Sequence, residues 1–397
     1  MKVLLLNQAF HPDIVATSVQ ASDLATRLVE RGHDVSVLCS RHAYDDPAQR
    51  YPTREQWKGV RITRLSSSRL GKGARWRRAV DFGSYMCNCL VHLAAYPRAD
   101  VVVALTSPPL ISWLGALFAR LKGGRFVFWV MDLNPDEAVA AGWLRQGSFT
   151  ARVLDGLLQY SLRHSAAVVA LDRFMAERLE SKGVERERIA ILPPWSLDHL
   201  VRYDTAGRDE FRQAHQIADK FVVMYSGNHS PCHPLTTLLE AADRLKTRTD
   251  IAFCFVGGGS EFATVRRFAD TRALSNVKTI PYQPMASLPG SLSSADLHVV
   301  VMGEPFVGII HPSKVYNIRV LGIPYLYIGP HDSHVAELNP TFSARHGDVD
   351  AVVSHIERAA NVAQLPPTPA AGLEAHGRDR LVNRMVATLE AAAAGAA

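Results

Sequence analysis

What most constrains this chain is a rhythm of short, wholly apolar segments, each followed by a helix-length amphipathic stretch. KVLLLN (2–7) reads as a buried strand. The run from Thr17 to His33 carries Leu24, Ala25, Leu28 and Val29 on one stripe, with Thr17 and Gln20 spaced as a capping box and Gly32 as the stop. DVSVLCS (34–40) follows, so the opening is a βαβ unit. Strands are expected again at 60–65, 100–105, 125–131, 166–171 and 188–192. LPPW (192–195) then breaks the pattern, and a polar, charged stretch runs to about Lys220. The rhythm restarts with strands at 221–228, 251–257, 276–282, 296–302 and 324–329.

Strands that are apolar throughout must be covered on both faces, and helices returning between parallel strands supply that cover. The chain is therefore read as α/β, two doubly wound parallel-sheet domains in tandem. The expected boundaries are a first domain over 1–195, a linker over 196–219, a second domain over 220–370 and a C-terminal helix over 371–397. In that helix Leu381, Val382, Met385, Val386 and Leu389 share one side.

The 397 residues suit two cores, and 47% apolar with 21% charged residues is an ordinary globular balance. Five scattered cysteines fit a reducing compartment better than a disulfide framework, and Cys87 and Cys89 lack the second pair a zinc site needs. The N-terminus is too short of apolar residues for a signal peptide, and the stretch near 110–121 is too short to span a membrane, so a soluble protein is expected. The net charge of +6 invites a nucleic-acid reading, but no nucleic-acid motif accompanies it. The basic residues concentrate in SSSRLGKGARWRR (66–78), which suits phosphate or anionic lipid at least as well.

Ligands of open α/β sheets bind beyond the carboxyl ends of strands, which directs attention to the loops there. FHPDIVATS (10–18) lacks GxGxxG, so a dinucleotide fingerprint is absent; it is either a polar entry to a helix or a substrate loop. SGNHSPCHP (226–234) delivers Gly227 and Asn228 toward a helix start that Pro234 marks, where free backbone N–H groups bind phosphate. His229 and His233 have a metal-like spacing, but without a third ligand a metal is rejected. VGGGSE (256–261) permits close approach of a ligand or makes a tight turn. HPSKVYNIRVLGIP (311–324) reads as a helix opened by Pro312 and stopped by Gly322. Lys314 then sits in its first turn, where the helix dipole disfavours a cation unless an anion lies nearby. Asn317 shares its face, and Glu304 and His311 lie just upstream. Two such helix starts, near 234 and 312, suit a diphosphate.

FHPD…LATRLVERGHDVSVLCS, TSPPL, MDLNPDE, the PPW hinge, YSGNHSPCHPLTTLLEAADRL, FVGGGSE and HPSKVYNI…GIP together resemble the family 4 glycosyltransferases, nearest to the branch that assembles bacterial exopolysaccharide and O-antigen sugars. The resemblance covers nearly the whole chain. It implies a GT-B fold, two Rossmann-like domains facing across a cleft, and a retaining transfer with no metal and no cofactor. The donor would be a nucleotide-diphosphate sugar bound by the C-terminal half through Gly227, Asn228, Gly257, Gly258, Tyr282, His311, Ser313, Lys314 and Asn317. A lipid-linked or oligosaccharide acceptor would meet Asp13, Thr17, Ser107 and Asp136 in the N-terminal half. Lys314, Glu304 and Asp132 would carry the chemistry, which consists largely of stabilising the departing diphosphate.

Two departures stand out. Many members carry a Glu-x7-Glu pair; counting back from Gly322, those positions are Ile309 and Asn317 here, and Glu304 is the nearest substitute. The usual basic pair of the loop after the first C-domain strand is replaced by histidines, leaving the diphosphate to Lys314. Arg69, Lys72, Arg75, Arg77 and Arg78, followed by Trp76, Phe82, Met86 and Leu90, are either an amphipathic face for an anionic membrane at the cytoplasmic side or a core helix with a basic entry. The alternatives are a nucleotide-sugar epimerase, a non-catalytic sugar-nucleotide-binding subunit, an NAD oxidoreductase and, last, a nucleic-acid-binding protein.

Overall fold

The structure, a computed structural model, describes residues 1–43, 49–68, 75–196, 200–362 and 376–395, with the backbone alone at 75, 76, 78 and 79. The chain divides into two units. The first is Met1–Pro194 with Gly308–Ile310 and Asp379–Ala397; the second is Trp195–Val307 with His311–Arg378.

The first unit holds strands β1 (Lys2–Leu6), β2 (Asp34–Ser40), β3 (Arg54–Trp57), β4 (Val60–Leu65), β5 (Val101–Ala104), β6 (Arg125–Trp129), β7 (Ala167–Ala170) and β8 (Ile189–Ile191). Its helices are α1 (Ala16–Glu30), α2 (Arg75–Ala95), α3 (Ile111–Lys122), α4 (Asp136–Ala140), α5 (Phe149–Arg163) and α6 (Arg173–Ser181). The sheet runs β3-β4-β2-β1-β5-β6-β7-β8, and only the β3–β4 pair is antiparallel among the described strands. Each expected strand forms, and the central ones are buried throughout except for the exposed first residues Lys2 of β1 and Arg125 of β6. Strand β3 is an addition: REQW alternates half-buried and exposed positions, so it lacks the apolar run that marked the others.

The second unit carries α7 (Thr205–Ala214), β9 (Phe221–Asn228), α8 (Thr236–Arg244), β10 (Ile251–Gly258), α9 (Phe262–Thr271), β11 (Val277–Ile280), α10 (Leu288–Ser293), β12 (Leu297–Val301), α11 (Lys314–Leu321), β13 (Tyr325–Ile328), α12 (His334–Glu337), β14 (Phe342–Ala344) and α13 (Val349–Asn361). Its all-parallel sheet runs β11-β10-β9-β12-β13-β14. Along β9 the side chains alternate between two cores. Val223 and Tyr225 pack with Leu238, Phe255 and Val352, while Val222 and Met224 pack with Phe211, Cys254 and Leu292. Helix α14 (Arg378–Ala394) closes the chain, almost all of it in the first unit. Its expected stripe of Leu381, Val382, Met385, Val386 and Leu389 is fully buried, and His33 Nε2 lies 2.9 Å from a Glu390 carboxylate oxygen.

Three local expectations change. The capping box at Thr17 and Gln20 does not form: the N-cap lies two residues earlier, at Val15, with no side-chain cap. Pro234 and Pro312 each precede their helix by two residues, since α8 starts at Thr236 and α11 at Lys314. The expected linker over 196–219 contains α7, a helix of the second unit. Its charges misled because they face inward. Asp296 accepts from Arg208 Nη2 (3.0 Å), Arg212 Nη2 (2.6 Å) and the Val222 amide (2.8 Å), clamping α7 beneath the starts of β9 and β12. Gly207 also lies so close to Gly290 that a side-chain carbon there would stand 2.8 Å from its Cα.

Removing the Asp296 carboxylate strands the largely buried Arg212 guanidinium. Asp296→Ala should destabilise the second unit by roughly 3 kcal/mol, read by chemical denaturation. A loss below about 0.5 kcal/mol would reduce the clamp to an ordinary surface pair.

Candidate functional site

In the second unit the topology does much of the positioning. The sheet winds one way from β9 through β10 to β11 and the other way from β12 to β14, so β9 and β12 meet where the winding reverses. Such a reversal leaves a crevice beyond the strand ends, because the connections leave on opposite sides. The β9–β12 ladder holds at Leu297–Val223 and His298–Met224. Farther along, the loop after β9 folds against β12: His233 Nδ1 donates to the Val301 carbonyl (2.8 Å), and the Gly303 amide donates to the Cys232 carbonyl (2.9 Å).

Gly227, Asn228, Gly257 and Gly258 form one small platform, since Gly227 pairs with Gly257 and Asn228 with Gly258 across β9 and β10. Gly227 and Gly257 have φ of 131° and 135°, which side-chain-bearing residues rarely adopt. A side-chain carbon on Gly257 would fall 2.1 Å from the Gly227 carbonyl oxygen. One on Gly258 would fall 2.8 Å from the ring of Tyr282, which is half exposed across it.

Lys314 lies under this platform. It is the first residue of α11, and a carbon on Gly227 would stand 3.0 Å from its Nζ. The Nζ atom is sealed from solvent, has no hydrogen-bond partner and sits 3.7 Å from the centroid of the Tyr225 ring. Burial pushes its amine down to about 7. The neighbouring histidines offer no negative charge. Burial first and Lys314 second hold His229 at about 4 and His233 at about 3, so both are neutral at physiological pH. His229 Nδ1 donates to the Gly227 carbonyl (3.0 Å), while its buried Nε2 has no partner. The arrangement brings glycine backbone, a helix start and a buried amine together.

The other donor-side candidates are placed less uniformly. Ser313 is the N-cap residue of α11, with no side-chain cap bond to the helix, and Asn317 lies one turn beyond Lys314 and is half-buried. Glu304 is exposed in the turn after β12 and makes no hydrogen bond to Lys314, whose Nζ has none. His311 is drawn into a ring stack, parallel to His334 at 3.6 Å and hydrogen-bonded to the Tyr316 hydroxyl at 2.7 Å.

In the first unit the winding reverses between β1 and β5, and β6 is the next strand. The loops after these three strands contain Asp13, Ser107 and Asp132, and the helices that follow carry Thr17 in the first turn of α1 and Asp136 at the start of α4. The Gln8 amide donates to the Ser107 carbonyl, joining the first two loops. Thr17 is half-buried in the first turn of α1. Asp13 is fixed at three atoms: its carboxylate accepts from the Tyr51 hydroxyl (3.1 Å), its carbonyl accepts from Ser18 Oγ (2.8 Å), and its amide donates to the Phe10 carbonyl (3.0 Å).

The two acids of MDLNPDE part company. Asp136 forms an ion pair with Lys182 (3.0 Å), a structural partnership that occupies its carboxylate. Asp132 has no such compensation: burial, and then the nearby Glu137 charge, raise its carboxyl well above the usual range, so it retains its proton far longer than an exposed aspartate.

Arg69 and Lys72 lie outside the described residues, as do the side chains of Arg75, Trp76 and Arg78. Arg77 is exposed on α2, whose outer side also exposes Val80, Leu90 and Val91; Phe82 and Met86 are half-buried. No described helix is long and apolar enough to cross a membrane.

Several residues escaped the sequence reading. Arg64 is 1% exposed and ties the β3–β4 hairpin to the first loop. It donates to the carbonyls of His11 (2.7 Å) and Pro52 (3.3 Å) and to the Glu55 carboxylate (2.5 Å). Trp57 of that hairpin stacks on His11 at 4.0 Å. A signal was present: alternation in VRITRL puts Arg64 on the inward face with Val60 and Ile62. Tyr225 looked like one more apolar strand residue.

Comparison with known proteins decides the class. Residues 16–195 match a family model described as "Glycosyl transferase 4-like domain", and residues 207–306 match one described as "Glycosyl transferases group 1". The chain belongs to the glycosyltransferases. WcaI of Escherichia coli (strain K12), whose name assigns it by inference to colanic acid biosynthesis as a glycosyl transferase, is 25% identical over 387 residues, 90% of this chain and 92% of WcaI. WbjE of Pseudomonas aeruginosa, named by inference as a glycosyltransferase, is 24% identical over 231 residues, 58% of each chain. Among solved structures, Anabaena HepE in complex with UDP-glucose superposes with a TM-score of 0.72 at 16% identity, covering 98% of this chain and 100% of that one. WaaG, a glycosyltransferase involved in lipopolysaccharide biosynthesis, gives 0.64 at 18% identity, covering 98% of each. The fold of this glycosyltransferase is GT-B.

The depressed Lys314 amine has a consequence for stability. Between about pH 7 and its ordinary value of 10.5 the unfolded chain binds more protons at this residue than the folded chain does. The burial cost is therefore fully felt below about pH 7 and relieved as pH rises through that window. Unfolding free energies measured from pH 6 to 10 should show Lys314→Met more stable than wild type at pH 6, with the advantage shrinking toward pH 10. A constant difference across the series would contradict the buried, partnerless amine.

Proposed function

We propose that this glycosyltransferase moves a sugar from a nucleoside-diphosphate sugar, held by the second unit, to a hydroxyl of a lipid-linked or oligosaccharide acceptor received by the first, in assembly of a cell-surface polysaccharide. The observation that carries the donor reading is Lys314: a buried amine with no hydrogen-bond partner, at a helix start, packed against the turn at Gly227. Burying a charge without a counter-charge is costly, and such an arrangement is rational where the ligand supplies the anion. HepE has been solved with UDP and with UDP-glucose, and WcaI and WaaG carry names tied to polysaccharide and lipopolysaccharide biosynthesis, which favours the same donor and product classes here.

In the reaction the bond between the anomeric carbon and the diphosphate oxygen breaks, a bond to the acceptor oxygen forms, and the acceptor hydroxyl gives up its proton. The negative charge that builds on the diphosphate is the main electrostatic demand. Lys314 meets it directly, with the first amides of α11 and the Gly227–Asn228 backbone as further donors. We read this as a metal-independent transfer that retains the anomeric configuration, with no cofactor. Tyr282 and Gly258 would receive the nucleoside, with Ser313 and Asn317 on the ribose or sugar. Asp13, Thr17 and Ser107 would meet the acceptor. Asp132, whose carboxyl burial raises to about 8, is in its ionised form the more basic acceptor for the hydroxyl proton in the first unit. Arg77 and the apolar residues exposed on α2 favour a peripheral position on the anionic inner face of the plasma membrane.

Calorimetric titration with UDP, GDP, ADP and CDP tests the donor site. One of them should bind wild type clearly tighter than the rest, and Lys314→Ala should weaken it by about 10–100-fold, the scale of a lost charge-assisted contact. Equal affinity in the variant would remove Lys314 from the site and the main support from this reading.

A further inference from the structure

The donor reading raises a question: what holds a buried ammonium in place beneath the Gly227 turn? The groups around Lys314 come from four elements. Helix α11 carries it. The loop after β9 contributes His229 and His233, and β12 contributes His298; all three feel the Lys314 charge, and burial, as the leading cause, holds each below its ordinary range. None is an anion. Strand β9 contributes Tyr225, which among the described residues makes an attractive contact with the ammonium, its ring centroid 3.7 Å away. An aromatic face carries partial negative charge, and its attraction for a cation grows when water is excluded, as it is here.

Resting on the donor-site reading above, we infer that Tyr225 is a positioning residue for Lys314: its ring holds the ammonium beneath the Gly227 turn, in its charged form, where an incoming diphosphate meets it. The same side chain fixes the other wall, because its hydroxyl donates to the Asn228 carbonyl (2.7 Å) at the end of the glycine platform. Its ring also meets the edge of His229 at 4.9 Å, so lysine, platform and histidine are all registered to one aromatic residue. The residue is fully buried in the apolar core with Phe255 and Leu239, which fixes the ring plane and therefore the place of the ammonium.

A merely structural role would respond to ring size and shape, whereas this one responds to ring electrostatics. The test replaces Tyr225 by Phe, and then by singly and triply fluorinated phenylalanine at the same position, which weaken the face of the ring with little change in shape. Lys314 titration is followed through 13C-labelled lysine side chains in the ligand-free protein, the resonance being the one lost in Lys314→Met. Affinity for UDP, GDP, ADP and CDP is measured at pH 8. Tyr225→Phe should keep the wild-type Lys314 midpoint. The fluorinated series should lower it stepwise, by about one unit at three fluorines, the strength typical of a desolvated cation–π contact. Nucleotide affinity at pH 8 should fall about tenfold in parallel. A midpoint unmoved across the fluorinated series overturns the inference, as does a loss of affinity without a shift in midpoint. If fluorination moves the midpoint while Lys314→Met binds nucleotides as wild type does, the Tyr225–Lys314 contact stands and the donor-site reading falls.

Discussion

The second unit contains one unfavourable placement, a lysine amine buried with no hydrogen-bond partner among the described residues. A lysine at the first position of a helix already faces the positive end of the helix dipole, and enclosure removes the water that would otherwise solvate it. Its surroundings reduce the penalty without cancelling it. Tyr225 supplies a ring face, and the nearby histidines are neutral, so no like charge is added. The anchoring is redundant elsewhere: Gly322 in the left-handed conformation ends α11, and Val315, Tyr316 and Ile318 bury its inner face. The helix is held well enough to keep its lysine where it is electrostatically unfavourable, and the proposed donor site rests on that placement.

The same design logic runs through both sheets. Each unit reverses its winding once, at β1/β5 in the first and at β9/β12 in the second. Most candidate residues sit at the carboxyl ends of the reversal strands or on the segments that follow them; Gly257 and Gly258 end a neighbouring strand, and Tyr282, Asp132 and Asp136 follow neighbouring strands of the same edge. The units differ in how they stiffen the place. The first uses a hairpin, with Arg64 and Trp57 gripping the His11 loop and Tyr51 gripping Asp13. The second uses glycine, since Gly227 and Gly257 allow two strand ends to approach more closely than side chains permit.

The strands and most helices were legible because a buried parallel strand can hardly be written without an apolar run, and Gly322 marked a helix end as glycine usually does. Strand β3 was not, because its side chains are half in water and its pairing depends on β4. Helix α7 was hidden by its own charges: Arg208 and Arg212 look like solvated residues until Asp296, more than eighty residues on, is brought beside them. At the site, Lys314 could be found because a cation at a helix start violates a local rule. The split between Asp132 and Asp136 could not, since it turns on whether Lys182 reaches one carboxylate or the other. Tyr225 was invisible for a related reason, as its role exists only in the contact that α11 makes with β9.

The central claim is that Lys314 is a lysine awaiting an anion, and proton uptake on binding tests it most directly. At pH 8 the free amine, held near 7, is mostly neutral, and a bound diphosphate should restore its charge. Calorimetry with the tightest-binding nucleoside diphosphate, in two buffers of different ionisation enthalpy, should show uptake of close to one proton per nucleotide, largely abolished in Lys314→Met. Binding that takes up no proton, or takes up the same amount in the variant, would contradict the account.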